Sequence, residues 1–224
     1  MAKLFLLRHL KSKWNEENRF AGWTDGPLSK RGLGKARGLS KKIFRNKIDV
    51  IYTSPLFRNQ GTVAKVLEYS RKYPLFIHKD PGKMKQWGNY TDLSNDDIPT
   101  YVTEAFNERY YGKLQGLNKK ETIKKYGAEK VQLWRRSFDV RPPGGETLKD
   151  TYKRAVPFFI KNVEKDLKKG KNVLIVSSHN PLRALIKHIE GMSDKDILYV
   201  EVPFGGLMEY DFTKSLKMKK KRIV

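Results

Sequence analysis

The chain has 224 residues, and its 47 lysines and arginines against 24 aspartates and glutamates give a formal net charge of +23. With 38% apolar and 32% charged residues it has a globular composition at the polar end of the ordinary range. It contains no cysteine, which excludes disulfides, thiolate metal sites, cysteine nucleophiles and iron–sulfur clusters. The apolar run at the N-terminus, Leu4 to Leu7, falls short of the roughly 7–15 residues of a signal peptide and the roughly 20 of a membrane span. A soluble, cytoplasmic chain is expected.

Along the chain, three short apolar runs read as buried parallel strands: Leu4–Leu7, Asp49–Tyr52 and Asn172–Val176. Each leads through a turn into a helical pattern. Ser29 is the expected N-cap of a helix from Lys30 to about Phe44, Ser54-Pro55 opens one to about Tyr69, and Asn180-Pro181 opens one to about Glu190, ended by Gly191. Proline at the first helical position suits these starts. Pro142-Pro143-Gly144-Gly145 precedes a long amphipathic helix with Leu148, Tyr152, Ala155, Phe159, Val163 and Leu167 on one face, kinked at Pro157. Strands near Leu198–Val202 and Leu207–Phe212 are expected to complete the sheet. The alternation predicts an α/β fold, a three-layer α/β/α sandwich around a mostly parallel sheet, as one domain over residues 1–213. The cluster of Lys214, Lys217, Lys219, Lys220, Lys221 and Arg222 reads as a solvated, mobile basic tail over 214–224.

So basic a chain suits either a nucleic acid or a small anionic substrate. Neither zinc-finger spacing nor an interleaved aromatic stripe favours nucleic acid. In an α/β sheet, ligands bind beyond the carboxyl ends of the strands. There the first strand delivers Arg8-His9, the second leads to Arg58, and the third runs into Ser177-Ser178-His179-Asn180. Two of the four histidines thus stand at strand ends with two arginines, a phosphate-gripping set in which a neutral imidazole can attack phosphorus. No phosphate-binding glycine loop of the nucleotide kind occurs, since Gly32-x-Gly34-x-x-x-Gly38 has the wrong spacing for a dinucleotide turn. No close ligand cluster calls for a metal.

Leu7-Arg8-His9 followed by Ser12, Trp14-Asn15, Asn18, Phe20, Gly22-Trp23, Asp25 and Leu28-Ser29 resembles the N-terminus of the cofactor-dependent phosphoglycerate mutases of the histidine phosphatase superfamily. The resemblance continues at Tyr52-Thr53-Ser54 with Arg58 and through Asn107-Glu108-Arg109-Tyr110-Tyr111-Gly112 to Leu114-Gln115-Gly116-Leu117-Asn118-Lys119. It returns at Trp134-Arg135-Arg136-Ser137 and Pro143-Gly144-Gly145-Glu146, and ends around His179-Asn180. The middle blocks are the specific ones, because simple phosphatases of the superfamily lack them. The resemblance implies interconversion of 3-phosphoglycerate and 2-phosphoglycerate, primed by 2,3-bisphosphoglycerate and without a metal. It makes His9 the nucleophile, with Arg8, Arg58 and His179 clamping the phosphoryl group and Glu108 as general acid/base. Asn15 and Gly22 would contact phosphate; Tyr111, Lys119, Arg135, Arg136 and Asn180 would hold the rest of the substrate. Relatives are often homodimers or homotetramers.

The chain departs from the family pattern in places. Leu10 stands for a glycine, Lys11 for an acidic or amide residue, and Ala21 for a hydroxyl residue. Ser178 stands opposite the second histidine in an ungapped alignment, so His179 takes that role through a shifted turn. About twenty extra residues near 78–99 suggest a lid, an interface or an elaborated loop. The chain also ends early, which would tilt the balance towards hydrolysis. The alternatives are therefore a phosphatase or bisphosphoglycerate hydrolase on the same scaffold, and an inactive anion- or nucleic-acid-binding module.

Overall fold

The computed structural model describes residues 2–88 and 90–224. The first apolar run is strand β1 (Ala2–Arg8), and its alternation sets the whole layering. Leu4 and Leu6 point into one apolar cluster, Phe5 and Leu7 into another on the opposite face. The neighbouring strands β2 (Val50–Thr53) and β5 (Val173–Ser177) repeat the pattern, so each strand is apolar on both sides and buried throughout. The seven-stranded sheet is completed by β3 (Tyr73–His78), β4 (Asp97–Val102), β6 (Leu207–Phe212) and β7 (Met218–Ile223), in the order β3-β4-β2-β5-β1-β6-β7. The pairs from β3 to β1 are parallel, while β6 and β7 are antiparallel. The expected mostly parallel three-layer sandwich is what forms.

One face is covered by α3 (Ala36–Ile43) and α4 (Phe57–Glu68). The other is covered by α8 (Leu148–Phe158), α9 (Glu164–Lys168) and α10 (His179–Glu190). Short helices α1 (Lys13–Glu16) and α2 (Lys30–Leu33) follow β1, α5 (Lys83–Trp87) lies between β3 and β4, and α6 (Lys119–Tyr126) and α7 (Ala128–Arg136) pack over a satellite cluster of Phe20, Leu114, Val131 and Trp134. That cluster supports the loops beyond the strand ends. Among the described residues, no helix is long and apolar enough to cross a membrane.

Ser29 caps its helix as expected, accepting from the Gly32 amide, but the helix breaks after Leu33 and resumes at Ala36. The prolines do not occupy first helical positions: Pro55 precedes the Leu56 cap, and Pro181 is the third residue of α10. Gly191 ends α10 in the left-handed conformation, φ +63°. Pro157 disturbs its helix by widening it, since α8 gives way to a π turn at Phe159–Val163.

Several expectations are corrected. The segment near Leu198–Val202 is no strand: Asp196–Tyr199 forms a 3₁₀ turn, and the residues after it are tied by the Arg8 side chain to the Val202 carbonyl, 2.6 Å. The place beside β1 is already filled by β6. The tail expected to be mobile carries β7, whose Arg222 pairs with Glu209 and Asp211 of β6 and whose Lys221 pairs with Glu190. Strands β3 and β4 were hidden by Pro74 and Pro99; the β2 pairing begins only at Thr100, one residue past that missing amide. Within the stretch 78–99, residues 79–96 are therefore the crossover between β3 and β4. Asp80 anchors it, accepting from Thr103 Oγ1 at 2.9 Å and from the Glu104 amide at 2.7 Å.

Candidate active site

Parallel strands put their carboxyl ends on one side: β1 and β5 bring Arg8 level with Ser177, and Thr53 at the end of β2 lies opposite Val176, one residue earlier. Just beyond them lies a cavity of about 80 Å³. It is lined by Arg8, His9, Asn15, Ala21, Gly22, Arg58, Glu108, Tyr111, Lys119, Arg135, Arg136 and His179, together with Arg19, Phe20 and Glu201. Residues from ten separate chain stretches thus meet in one place, including all those singled out from the sequence except Asn180. That side chain lies behind the wall, donating to Glu108 Oε1 at 2.8 Å and to the Tyr111 hydroxyl at 3.2 Å.

His9 is buried, and its Nδ1 lies 2.7 Å from the Leu10 carbonyl. A carbonyl only accepts, so Nδ1 carries the proton and Nε2 keeps the free lone pair. Burial, then the charges of Arg58 and Arg8, holds this imidazole well below its ordinary range. It is neutral at pH 7.

Arg58 in the first turn of α4 donates to the Gly22 carbonyl at 2.6 Å and pairs with Asp25 at 2.9 Å. It therefore shapes the 21–25 loop as well as facing the cavity. Gly22 sits at φ +55°, and a Cβ there would meet Gln115 Oε1 at 2.2 Å. Gln115 holds the loop by accepting from the Trp23 amide at 2.7 Å. Asn15 closes a capping box with Ser12 through its Oδ1, which leaves its Nδ2 as a donor.

Glu108 is buried and accepts from the amides of Arg109 (2.7 Å), His179 (3.1 Å) and Asn180 (3.2 Å), besides the Asn180 side chain. Burial favours its neutral form, but the surrounding positive groups and these donors outweigh that and hold it below the usual carboxylate range. The backbone of Glu108 is fixed from behind: its carbonyl accepts from Arg154 (3.0 Å) and Trp23 Nε1 (2.6 Å), and Arg154 is itself paired with Glu146. Arg154 and Glu146 are positioning residues that sequence reasoning did not single out for this task.

On the far side of the cavity, Lys119, Arg135 and Arg136 cluster. Burial and the neighbouring arginines lower Lys119 to about 8. Burial lowers His179 to about 3, against a raising contact from Glu201. Arg136 can only donate to His179 Nε2 and Glu201 can only accept from it, both at 3.4 Å, so the two contacts demand opposite tautomers. The close contact of the trio is the direct pair between Arg136 and Glu201.

The departures are accommodated. Leu10 is fully buried in the β1–α3 cluster and does not line the cavity, and its amide donates to Thr62 Oγ1 at 2.9 Å. Ser178 Oγ lies 3.3 Å from Asn59 Nδ2, while His179 is the residue on the wall. Ala21 contributes a methyl to the lining. The stretch 78–99 contributes no described residue to it.

An α/β sandwich whose strand ends gather two histidines, two carboxylates and six cationic side chains defines a protein that handles phosphoryl groups. The family is shown by comparison: the histidine phosphatase superfamily (branch 1) matches residues 4–98 and 90–221, and the chain belongs to it. A 2,3-bisphosphoglycerate-dependent phosphoglycerate mutase of Chlamydia pneumoniae is 43% identical over 223 residues, spanning 98% of this chain and 97% of that protein. One of the same name from Methanococcus vannielii is 41% identical over 220 residues, spanning 97% and 94%. Among solved structures, Bacillus stearothermophilus YhfR shares the fold at a TM-score of 0.76 and 22% identity, covering 98% of this chain and 95% of its own. A mycobacterial glucosyl-3-phosphoglycerate phosphatase does so at 0.76 and 19%, covering 100% and 98%.

Proposed function

We propose that this protein interconverts 3-phosphoglycerate and 2-phosphoglycerate in the cytoplasm, through a phosphohistidine at His9 primed by 2,3-bisphosphoglycerate. One observation carries the reading. The cavity that holds His9 also holds Tyr111, Lys119, Arg135 and Arg136, a second set of groups that a bare phosphate would leave unused. A substrate with a carboxylate and a phosphate at opposite ends uses both sets. The full-length likeness to proteins named as such mutases supports the same assignment. The surplus of cations over the two carboxylates of the cavity also suits a bisphosphorylated primer. When bound, that primer supplies the phosphoryl group that His9 carries.

The chain's own residues then have these tasks. His9 presents the Nε2 lone pair, its tautomer fixed through Nδ1 by the Leu10 carbonyl. Arg8, Arg58 and His179 hold the phosphoryl oxygens, with Asn15 and Gly22 beside them. Glu108, ionised in the free enzyme, takes the proton of the attacking substrate hydroxyl and returns it to the leaving oxygen in the reverse half-reaction. Tyr111, Lys119, Arg135 and Arg136 hold the far end of the substrate, and Asn180 fixes Glu108 and Tyr111.

The test is incubation with 3-phosphoglycerate and a trace of 2,3-bisphosphoglycerate, following 2-phosphoglycerate and free phosphate together. Rapid, primer-dependent 2-phosphoglycerate with little phosphate is expected, and none should form with His9→Ala. Phosphate without isomerisation would make the protein a hydrolase. Labelling of His9→Ala by radioactive bisphosphoglycerate would move the nucleophile elsewhere.

A further inference from the structure

Besides Glu108, Glu201 is the one acidic residue among the described residues lining the cavity. The two carboxylates are in opposite situations. Glu108 is buried and saturated by amide donors, whereas the Glu201 side chain is 53% exposed and rests on the cations of the site. One oxygen pairs with Arg136; the other lies 3.4 Å from His179 Nε2 and 3.9 Å from Arg8 Nη1. It stands at the outer edge of the cavity, where the space widens into a basin of about 440 Å³ that Glu201 also lines.

A glutamate side chain on a guanidinium presents the same two oxygens, with the same charge, as the carboxylate of a small acid. We propose that Glu201 is an internal competitor of the substrate: its carboxylate occupies the position at Arg136 that the substrate's own anionic group takes, and must swing out for the substrate to seat. Glu201 is thereby a specificity-determining residue of this site. This rests on the mutase reading for the identity of the substrate, though not for the competition itself. The swing needs little. The loop backbone is held independently, since Arg8 binds the Val202 carbonyl and stacks on the Phe204 ring at 3.7 Å. The half-exposed side chain therefore turns into the basin by rotation about its own bonds. Competition of this kind weakens most the ligands that reach Arg136, the close contact. It weakens far less those held by His9, Arg58, Arg8 and His179, since Glu201 lies 3.4 Å from His179 and 3.9 Å from Arg8 and touches neither His9 nor Arg58.

The experiment is calorimetric binding of 3-phosphoglycerate and of inorganic phosphate to wild type, Glu201→Gln and Glu201→Ala. Both variants should bind 3-phosphoglycerate about three- to tenfold more tightly, the worth of one or two half-exposed ion pairs, with inorganic phosphate changed less than twofold. Weaker binding of 3-phosphoglycerate in both variants would overturn the proposal, making Glu201 a strut that keeps the arginines together. Equal tightening of both anions would overturn it too, reducing Glu201 to a general charge effect. Absence of mutase activity in the wild type would refute the functional reading while leaving the binding comparison intact.

Discussion

Lys119 shows how the site's charge tunes its own members. Packed among arginines and largely buried, it is lowered to about 8, so it is protonated at pH 7 and loses its charge just above. An anionic substrate binds the charged form, and kcat/KM reports the free enzyme. That ratio should therefore fall as pH rises through about 8, and Lys119→Arg should shift the fall upward, because a guanidinium stays charged there. An unchanged alkaline limb in the arginine variant would show that another group sets it. His9, neutral well below pH 7, adds no loss near neutrality on the acid side. At this scale the sequence was informative wherever a residue follows a strand or sits in a dense motif, as Arg8, His9, Glu108 and Arg135 do. It was silent on Glu201, because nothing local in Val200-Glu201-Val202 distinguishes a strand from a loop drawn over a cluster of cations.

Among the elements, β7 departs furthest from its sequence signal. Its lysines and arginine look like a solvated run, yet Arg222 shares Glu209 and Asp211 of β6 with Lys3 of β1, and Lys221 reaches Glu190 at the end of α10. Lysines on an edge strand also discourage pairing with other chains. Removing residues 214–224 should cost about 1–2 kcal/mol from these pairs and the lost ladder, lowering the melting temperature by roughly 2–8 °C. A melting curve identical to that of the full chain would return the segment to the status of a mobile end. The other elements were legible in proportion to their burial. β1, β2 and β5 carry unbroken apolar runs because both faces are covered, whereas β3 is half-exposed and β4 contains a proline. Half-exposure and Pro99 weakened the only local signals available, so the two strands that flank the crossover left little trace in the sequence.

At the scale of the molecule, a charge of +23 with the cationic cavity opening into a basin that adds Lys11, Arg31 and Lys35 draws anions inward. Between about 0.03 and 0.3 M salt the screening length shrinks from roughly 18 to 6 Å. Over that range kcat/KM for the anionic substrate should drop severalfold, with kcat changing less. A flat response would mean that only the contacting cations matter. The basin also gives Lys11 a place: next to the buried Leu10, it turns outward to line the approach rather than the site itself.

The sequence by itself determined the fold class, the strand-end histidines and arginines and, through its dense motifs, the family. Those features are local: an apolar run, the residue after it, a spacing along the chain. Tertiary structure alone decided which ring nitrogen of His9 stays free, that Glu108 is ionised, that Leu10 turns into the core, that the basic tail becomes a strand and that Glu201 lies across the arginines. Each of these depends on which groups from distant stretches become neighbours and how far water is excluded around them, and proximity and burial are not properties of a chain until it has folded.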